Sequence, residues 1–253
     1  MTTHRHETHV AAQFGPQAAA YVTSAVHAAG ADLEQIAAVA ERYRPARVLD
    51  LGCGGGHAGF HVAPHARDIV AFDLSSDMLG AVAAEAARRG LTNITTQQGS
   101  VAALPFADAS FDFVVTRFSA HHWHDLDAGL WETRRVLRSG GVAVFADTVS
   151  PAAPLLDTHL QAIELLRDPS HVRNYSVAEW TAHLKAAGFA PGEPTLRRLR
   201  LDFASWVARM ATPAPHVAVL RALQKGMPTD AAAYFELEVD GSFTVDKMLI
   251  EAQ

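Results

Sequence analysis

The sequence predicts an α/β fold: a doubly wound, mostly parallel sheet of seven strands with helices on both faces. Three observations carry this. From residue 46, short apolar runs alternate with helix-period segments over about a hundred residues, the pattern of βα units feeding a parallel sheet. The first run ends in the glycines of VLDLGCGGGHAGF, Val48 to Phe60, where an open α/β sheet places its ligand. Two late strand-like segments, TLRRLRLDF and GSFTVDKMLIEA, follow helical stretches and suit an antiparallel closing pair at one sheet edge.

The elements follow in order. Residues 9–43 read as one or two helices, since AAQFGPQAAAYVTSAVHAAG and LEQIAAVAERY both repeat apolar residues near every 3.6 positions. Gly30 and Asp32 suit the break between them. ARVLDL is the first strand, and HAGFHVAPHA a short helix weakened by Pro64. DIVAFDL is the second strand. SSDMLGAVAAEAARRG is a long helix with Ser75 or Ser76 as N-cap and Gly90 as its stop. NITTQQGS and FDFVVTRF are strands three and four. LDAGLWETRRVLRSGG is a helix ending on Gly140 and Gly141, and GVAVFADTV is strand five. After Pro151 the alternation slackens. LLDTHLQAIELLRD and VAEWTAHLKAAGF are helical, as is Ala204 to Leu223 with its prolines at 213 and 215. The 253 residues suit a single domain. It comprises a helical cap (1–45), a ligand-binding core (46–150), and lid helices with closing strands (151–253). The helical pieces 151–175 and 204–238 are expected to cover the site.

Composition narrows the function. The net charge of −6 gives no basic footprint for nucleic acid. The polar start, MTTHRHETHV, has no apolar segment of a secretory signal. No run reaches the roughly 18 apolar residues of a membrane span. Cys53 is the only cysteine, so no internal disulfide or cysteine metal site forms, and a cytoplasmic location is expected. His57 and His61 stand four apart on one helix, but no acidic residue or cysteine shares that helix. No metal site is expected.

The glycine loop poses the question of which nucleotide it serves. Gly52, Cys53 and Gly54 match the start of the dinucleotide fingerprint, but His57 stands at its third glycine. A phosphate-binding loop needs a lysine, and none is present. Asp50, just ahead of the glycines, would repel a pyrophosphate and attract an ammonium or sulfonium. S-adenosylmethionine is such a ligand: a cationic sulfur, an amino-acid tail, a ribose and no phosphate. Asp73 ends the second strand 21 residues beyond Gly52, the place where a carboxylate accepts both ribose hydroxyls. Met78 can lie against the adenine face, with Ser100 and Val101 beside its edge.

Together VLDLGCGGG, AFDLSSDML, QGSVAALPFADASFDFVV, AHHWHD and RRVLRSGG resemble the class I S-adenosylmethionine-dependent methyltransferases, and within them the type 11 group. That group includes the ubiquinone- and menaquinone-biosynthesis C-methyltransferases. The resemblance is strongest over residues 46–150 and implies a Rossmann-like methyltransferase fold. It implies that Gly52, Gly54 and Gly55 let the backbone approach the cofactor, that Asp50 holds the loop and the amino group, and that Asp73 binds the ribose. It implies that Leu74 and Met78 flank the adenine and that Ser100 and Val101 meet its edge, although many relatives carry Asp where Ser100 stands. Arg117 stands at a main-chain contact to the methionine portion, and Tyr21 at a tyrosine closing over the cofactor carboxylate.

Methyl transfer is an in-line displacement at an activated carbon, and alignment can supply about 7–11 kcal/mol. A base is needed only where the acceptor loses a proton. His121, His122 and Asp147 are the candidates near the ends of strands four and five. The alternative is that His122 caps the next helix while His121 packs. Trp123 and Phe118 could form an apolar wall beside the sulfonium. TRFSAHH replaces the [DNS]-P-P-[YFW] motif of adenine- and glutamine-methylating members. It also lacks the acidic metal ligands of catechol O-methyltransferases, and one cysteine is too few for arsenite chemistry. The expected acceptor is a small or lipid-like molecule; Arg117, Arg173 and Tyr175 would suit an anionic or phenolic one if they face the pocket. A homodimer stays open. The alternatives to a methyltransferase are a cofactor-binding sensor of the same fold and, against the glycine pattern, a nicotinamide-dependent oxidoreductase.

Overall fold

The computed structural model describes residues 3–23 and 28–253. The helical reading of residues 24–27 lies outside the described residues. The strands are β1 (Arg47–Leu51), β2 (Asp68–Asp73), β3 (Ile94–Gln98), β4 (Phe111–Arg117), β5 (Leu137–Val149), β6 (Thr195–Leu201) and β7 (Phe243–Ala252). They form one sheet in the order β3-β2-β1-β4-β5-β7-β6. β1 to β5 pair in parallel, and β7 runs antiparallel between β5 and β6. Strand order reverses at β1, where Asp50 sits beside Ala71 on one side and Val115 on the other. The crevice beyond the carboxyl ends of β1 and β4 is therefore the ligand position of such a sheet.

Period-two alternation sends strand side chains to two cores. Leu49, Phe111, Val114 and Phe145 pack on one face, against Leu130 of α6 (Leu126–Val136) and Trp180 of α8 (Val177–Ala186). Val48, Phe113, Val115 and Val144 pack on the other, against Leu33, Ile36 and Val39 of α3 (Ala31–Tyr43). Each fully buried side chain of this size contributes roughly 1.5–3 kcal/mol. α4 (His57–Val62) follows the glycine loop, and Pro64 passes it into a 3₁₀ turn. α5 (Ser76–Arg88) follows β2, with Ser75 as its N-cap. A third core joins Leu160 and Ile163 of α7 (Pro154–Arg167) to Trp206 of α9 (Phe203–Arg209), Leu220 of α10 (Ala214–Lys225) and Phe243 of β7. A short α11 (Thr229–Tyr234) closes this layer. At the amino terminus, α1 (Thr3–Phe14) and α2 (Ala18–Thr23) precede α3. No described helix is long and apolar enough to cross a membrane.

Two readings need correction. The helix expected to end on Gly140 and Gly141 stops at Val136, and Leu137 already pairs with Phe111 in the sheet. Pairing resumes at Phe113 with Val142, so the intervening residues bulge. The two glycines serve that bulge: Gly140 has φ +74°, and a Cβ on Gly141 would lie 2.9 Å from the Asp112 carbonyl oxygen. Helical periodicity over 204–223 is broken into α9 and α10 by Ala211, with φ +50°, and by Pro213. Gly30 is the N-cap, and Asp32 is buried in ion pairs with Arg117 (2.5 Å) and Lys247 (2.6 Å).

Candidate active site

The glycine loop turns off β1 through backbone bonds from Gly52 and Cys53 N–H to the Phe72 carbonyl, 2.8 and 3.0 Å. Gly52 has φ +67°, and a Cβ there would lie 1.9 Å from Ser119 Oγ. Only glycine fits that close approach. Gly54 differs: it has φ +48°, and a Cβ would meet nothing within 4 Å. Its face opens onto a cavity of about 1020 Å³, mouth included, the size of a small-molecule pocket. Asp73, at the end of β2, ties this loop down. Its Oδ2 accepts Gly54 N–H and its Oδ1 accepts Ser75 N–H, both at 2.9 Å. Each oxygen keeps further acceptor capacity.

Asp50 is buried, and its Oδ2 accepts Gly59 N–H at 2.8 Å. Burial pushes its carboxyl up to about 7; the nearby Asp73 adds to this, while Gly59 N–H and Arg117 oppose it. Cys53 lines the same cavity as a buried thiol, which burial holds well above its usual range. It is a packing residue. α1 and α2 form the roof with Val10, Phe14 and Tyr21, and His57 Nε2 lies 2.9 Å from the Tyr21 carbonyl oxygen.

The expected cofactor contacts meet here. Asp50, Gly52, Gly54, Gly55, Asp73, Leu74, Met78, Val101, Tyr21 and Arg117 all line this cavity. Phe118 and Trp123 wall it, as expected. Ser100 does not line it, because its hydroxyl donates to Glu7 of α1. Glu7 itself lines the cavity. Sequence reasoning missed it because the polar start carries no apolar stripe that marks α1 from Thr3. The Arg117 guanidinium is engaged by Asp32.

A second cavity adjoins the first and shares Phe14, Tyr21, Phe118 and His122 with it. His121 lies here, with Glu164 and Arg167 of α7, Asp168, Asn174 and Arg209 of α9. His121 Nδ1 is 2.6 Å from Asp147 Oδ1. The carboxylate can only accept, so Nδ1 carries the proton and Nε2 keeps a free lone pair. Burial opposes the His121 imidazolium, but Asp147 outweighs it and the pKa rises above 6.5. His122 is pushed down to about 4 by burial and by His121. It stays neutral, with Nδ1 3.1 Å from the Ser170 carbonyl.

The structure revises several roles. Asp147 lines neither cavity and reaches the second only through its contact with His121. His122 is not the cap of α6; Asp125 is, accepting Ala128 N–H at 2.9 Å. Arg173 and Tyr175 line neither cavity. Arg173 pairs with Asp157 and Glu179 at 3.2 and 3.0 Å, and Tyr175 packs edge-on to Trp180. Tyr21 donates to Met210 Sδ at 3.0 Å and also bonds Arg167 and Arg209. Its hydroxyl thus faces the second cavity. The cavity residues sequence reasoning missed, Glu164, Arg167, Asp168 and Arg209, sit in α7, in α9 or in the turn after α7, with no local motif.

Residues 48–141 match the model of a family described as a methyltransferase domain. The chain is 35% identical to the uncharacterized methyltransferase YcgJ of Bacillus subtilis over 79% of each protein. The crystal structure of YcgJ superposes with a TM-score of 0.83, at 31% identity over 87% of this chain and 97% of that one. The chain belongs to the class I S-adenosylmethionine-dependent methyltransferases. It falls in their type 11 group, and the demethylmenaquinone methyltransferase of Chlorobaculum parvum is 33% identical over 46% of each chain. The uncharacterized protein YafE of Escherichia coli is 44% identical over 79% of this chain and 97% of its own length.

The first cavity of this methyltransferase suits the family's cofactor, S-adenosylmethionine. Glu7, Asp50 and Asp73 contribute carboxylates, and the one described arginine there is held by Asp32. A diphosphate would be repelled by that set, while a sulfonium bearing an ammonium is attracted. The bare face of Gly54 leaves room for the ligand against the backbone.

Proposed function

We propose that this methyltransferase transfers a methyl group to a small or lipid-like acceptor held in the second cavity, with the cofactor in the first. The supporting observation is the shared wall of Phe14, Tyr21, Phe118 and His122 between a carboxylate-lined glycine pocket and a cavity holding a His–Asp pair. S-adenosylmethionine, when bound, supplies a methyl on a cationic sulfur, ready for in-line displacement. Asp73 accepts the ribose hydroxyls, Leu74 and Met78 flank the adenine, and Val101 meets its edge. Asp50 faces the amino-acid tail. Phe14, Phe118 and Trp123 exclude water from the transfer path. Alignment across the wall supplies most of the rate. Where the acceptor carries a hydroxyl, His121 takes its proton at Nε2 and Asp147 holds the ring. Residues 1–253 act as one methyltransferase domain, with α7 and α9 as part of its lid.

Calorimetric titration tests the cofactor part: S-adenosylmethionine and its demethylated product should both bind in the micromolar range. Gly54→Ala should keep the melting temperature within about 4 °C, since its Cβ meets only open space and the positive φ costs about 1 kcal/mol. It should weaken both ligands at least tenfold. Unchanged affinity in that variant would count against the placement.

The pH profile tests the base. His121 works deprotonated, and its pKa lies above 6.5, so kcat should rise with pH through that value. Asp147→Asn removes the charge that raises it. The acidic limb should then move to lower pH, and kcat should fall about a hundredfold, within the range of general-base effects. A purely structural role for Asp147 predicts no movement of the limb.

A further inference from the structure

The second cavity concentrates unmet hydrogen-bonding groups. Arg209 Nε and Asn174 Nδ2 are buried donors without a hydrogen-bond partner among the described residues, and Asp168 Oδ2 is a buried acceptor without a hydrogen bond, 3.9 Å from His122 Nε2. All three residues line this one cavity. Buried polar atoms normally have partners, so three orphans around one space call for a ligand that satisfies them. Their types define it. Two donors, one of them cationic, require an acceptor-rich group. The carboxylate requires a donor.

Charge points the same way. Arg167 is shared with Glu164 at 3.7 Å and donates to the Trp206 carbonyl at 3.0 Å. Asp168 Oδ1 takes both the N–H and the O–H of Ser170, at 2.9 and 2.6 Å. Arg209 makes no ion pair with a carboxylate among the described residues, though it bonds the Tyr21 hydroxyl. Burial and the neighbouring Arg167 work against its charge and outweigh the support of Tyr21 and the more distant Glu164. That cost is relieved when an anion enters. Phe118, Leu199, Leu201 and Trp206 give the rest of the cavity an apolar lining.

We propose that the acceptor is a small hydroxycarboxylate with an apolar body, its carboxylate bound by Arg209 and Asn174 and its hydroxyl turned toward Asp168 and His121. This rests on the cofactor reading above and names the substrate class of that site. An arginine supplies a directional fork for a carboxylate, and the hydroxyl offers the donor that Asp168 lacks. The orphaned amide of Asn174 adds selectivity, because a ligand without an acceptor leaves it unpaired.

The test is calorimetry on the full chain saturated with S-adenosylhomocysteine. 3-Hydroxybenzoate, mandelate and 3-hydroxybutyrate are each titrated against their own methyl esters. At least one acid should bind, and at least tenfold more tightly than its ester. Arg209→Met should bring acid and ester within twofold of each other. Arg167→Met serves as a second variant, with the preference reduced but present. The proposal is overturned if no acid binds, if esters bind as well as acids, or if the preference survives Arg209→Met in a folded protein. Failure of S-adenosylhomocysteine itself to bind would instead overturn the cofactor placement, so the two are told apart.

Discussion

Replacing Asp73 by alanine is expected to abolish detectable cofactor binding, with at least a hundredfold loss in affinity for S-adenosylhomocysteine. Two losses combine. The carboxylate is the group we propose accepts the ribose hydroxyls, and a hydrogen bond to a charged group contributes about 1.5–3 kcal/mol. Two such bonds exceed the roughly 2.7 kcal/mol that corresponds to a hundredfold. The same side chain also accepts Gly54 and Ser75 N–H, so its removal frees the glycine loop from β2. Asp73→Asn separates the two effects. It retains one acceptor oxygen and should hold part of the loop geometry, leaving an intermediate loss. Isothermal titration reads affinity, and thermal melting confirms the fold. Affinity within threefold of the parent in Asp73→Ala would remove the ribose assignment.

That the candidate cofactor residues share one cavity was legible in the sequence because they are local. Asp50, Gly52 and Gly54 fall within five residues at the end of one strand, and Asp73 closes the next. A βα unit places such strand ends side by side whatever surrounds them. The bond from Ser100 to Glu7 is hidden from the sequence because Glu7 lies 93 residues away on a helix with no apolar signature. The early end of α6 was hidden for a different reason. A glycine pair after a helical run marks a stop in most contexts, but here it serves a bulge set by pairing with β4.

The acceptor half was largely illegible. His121 and Asp147 could be suspected from their places after β4 and within β5, but the bond between them is a tertiary fact. Arg167 and Arg209 look like ordinary terminal arginines of α7 and α9, where a cation favours the helix dipole. Only the packing of α7 and α9 around Trp206 brings them to one cavity. Arg173 illustrates the converse. Its place in VRNY suggested a ligand, and its partners Asp157 and Glu179 occupy it instead.

Asp50→Asn should stabilise the free protein and weaken its hold on the cofactor. Burial raises the Asp50 carboxyl from 3.8 to about 7 in the folded chain. A raised folded pKa favours the native state fully below the unfolded value, and that contribution is lost as pH climbs through about 7. At pH 8 the ionised group therefore strains the fold by up to about 4 kcal/mol, at 1.36 kcal/mol per unit. Asparagine carries no charge and still offers an oxygen to Gly59 N–H. The variant should melt about 5–15 °C higher at pH 8 and about the same as the parent at pH 4. Binding moves the other way. A cationic ligand prefers the ionised carboxylate, so parental affinity should fall up to tenfold per unit as pH drops below 7, with proton release on binding. Asparagine should flatten that slope and cost about tenfold at pH 8. The strain and the affinity have one source, a carboxylate buried where a cation is to sit. A variant that gained stability at pH 8 but kept the parental pH slope would show that the cation is held elsewhere.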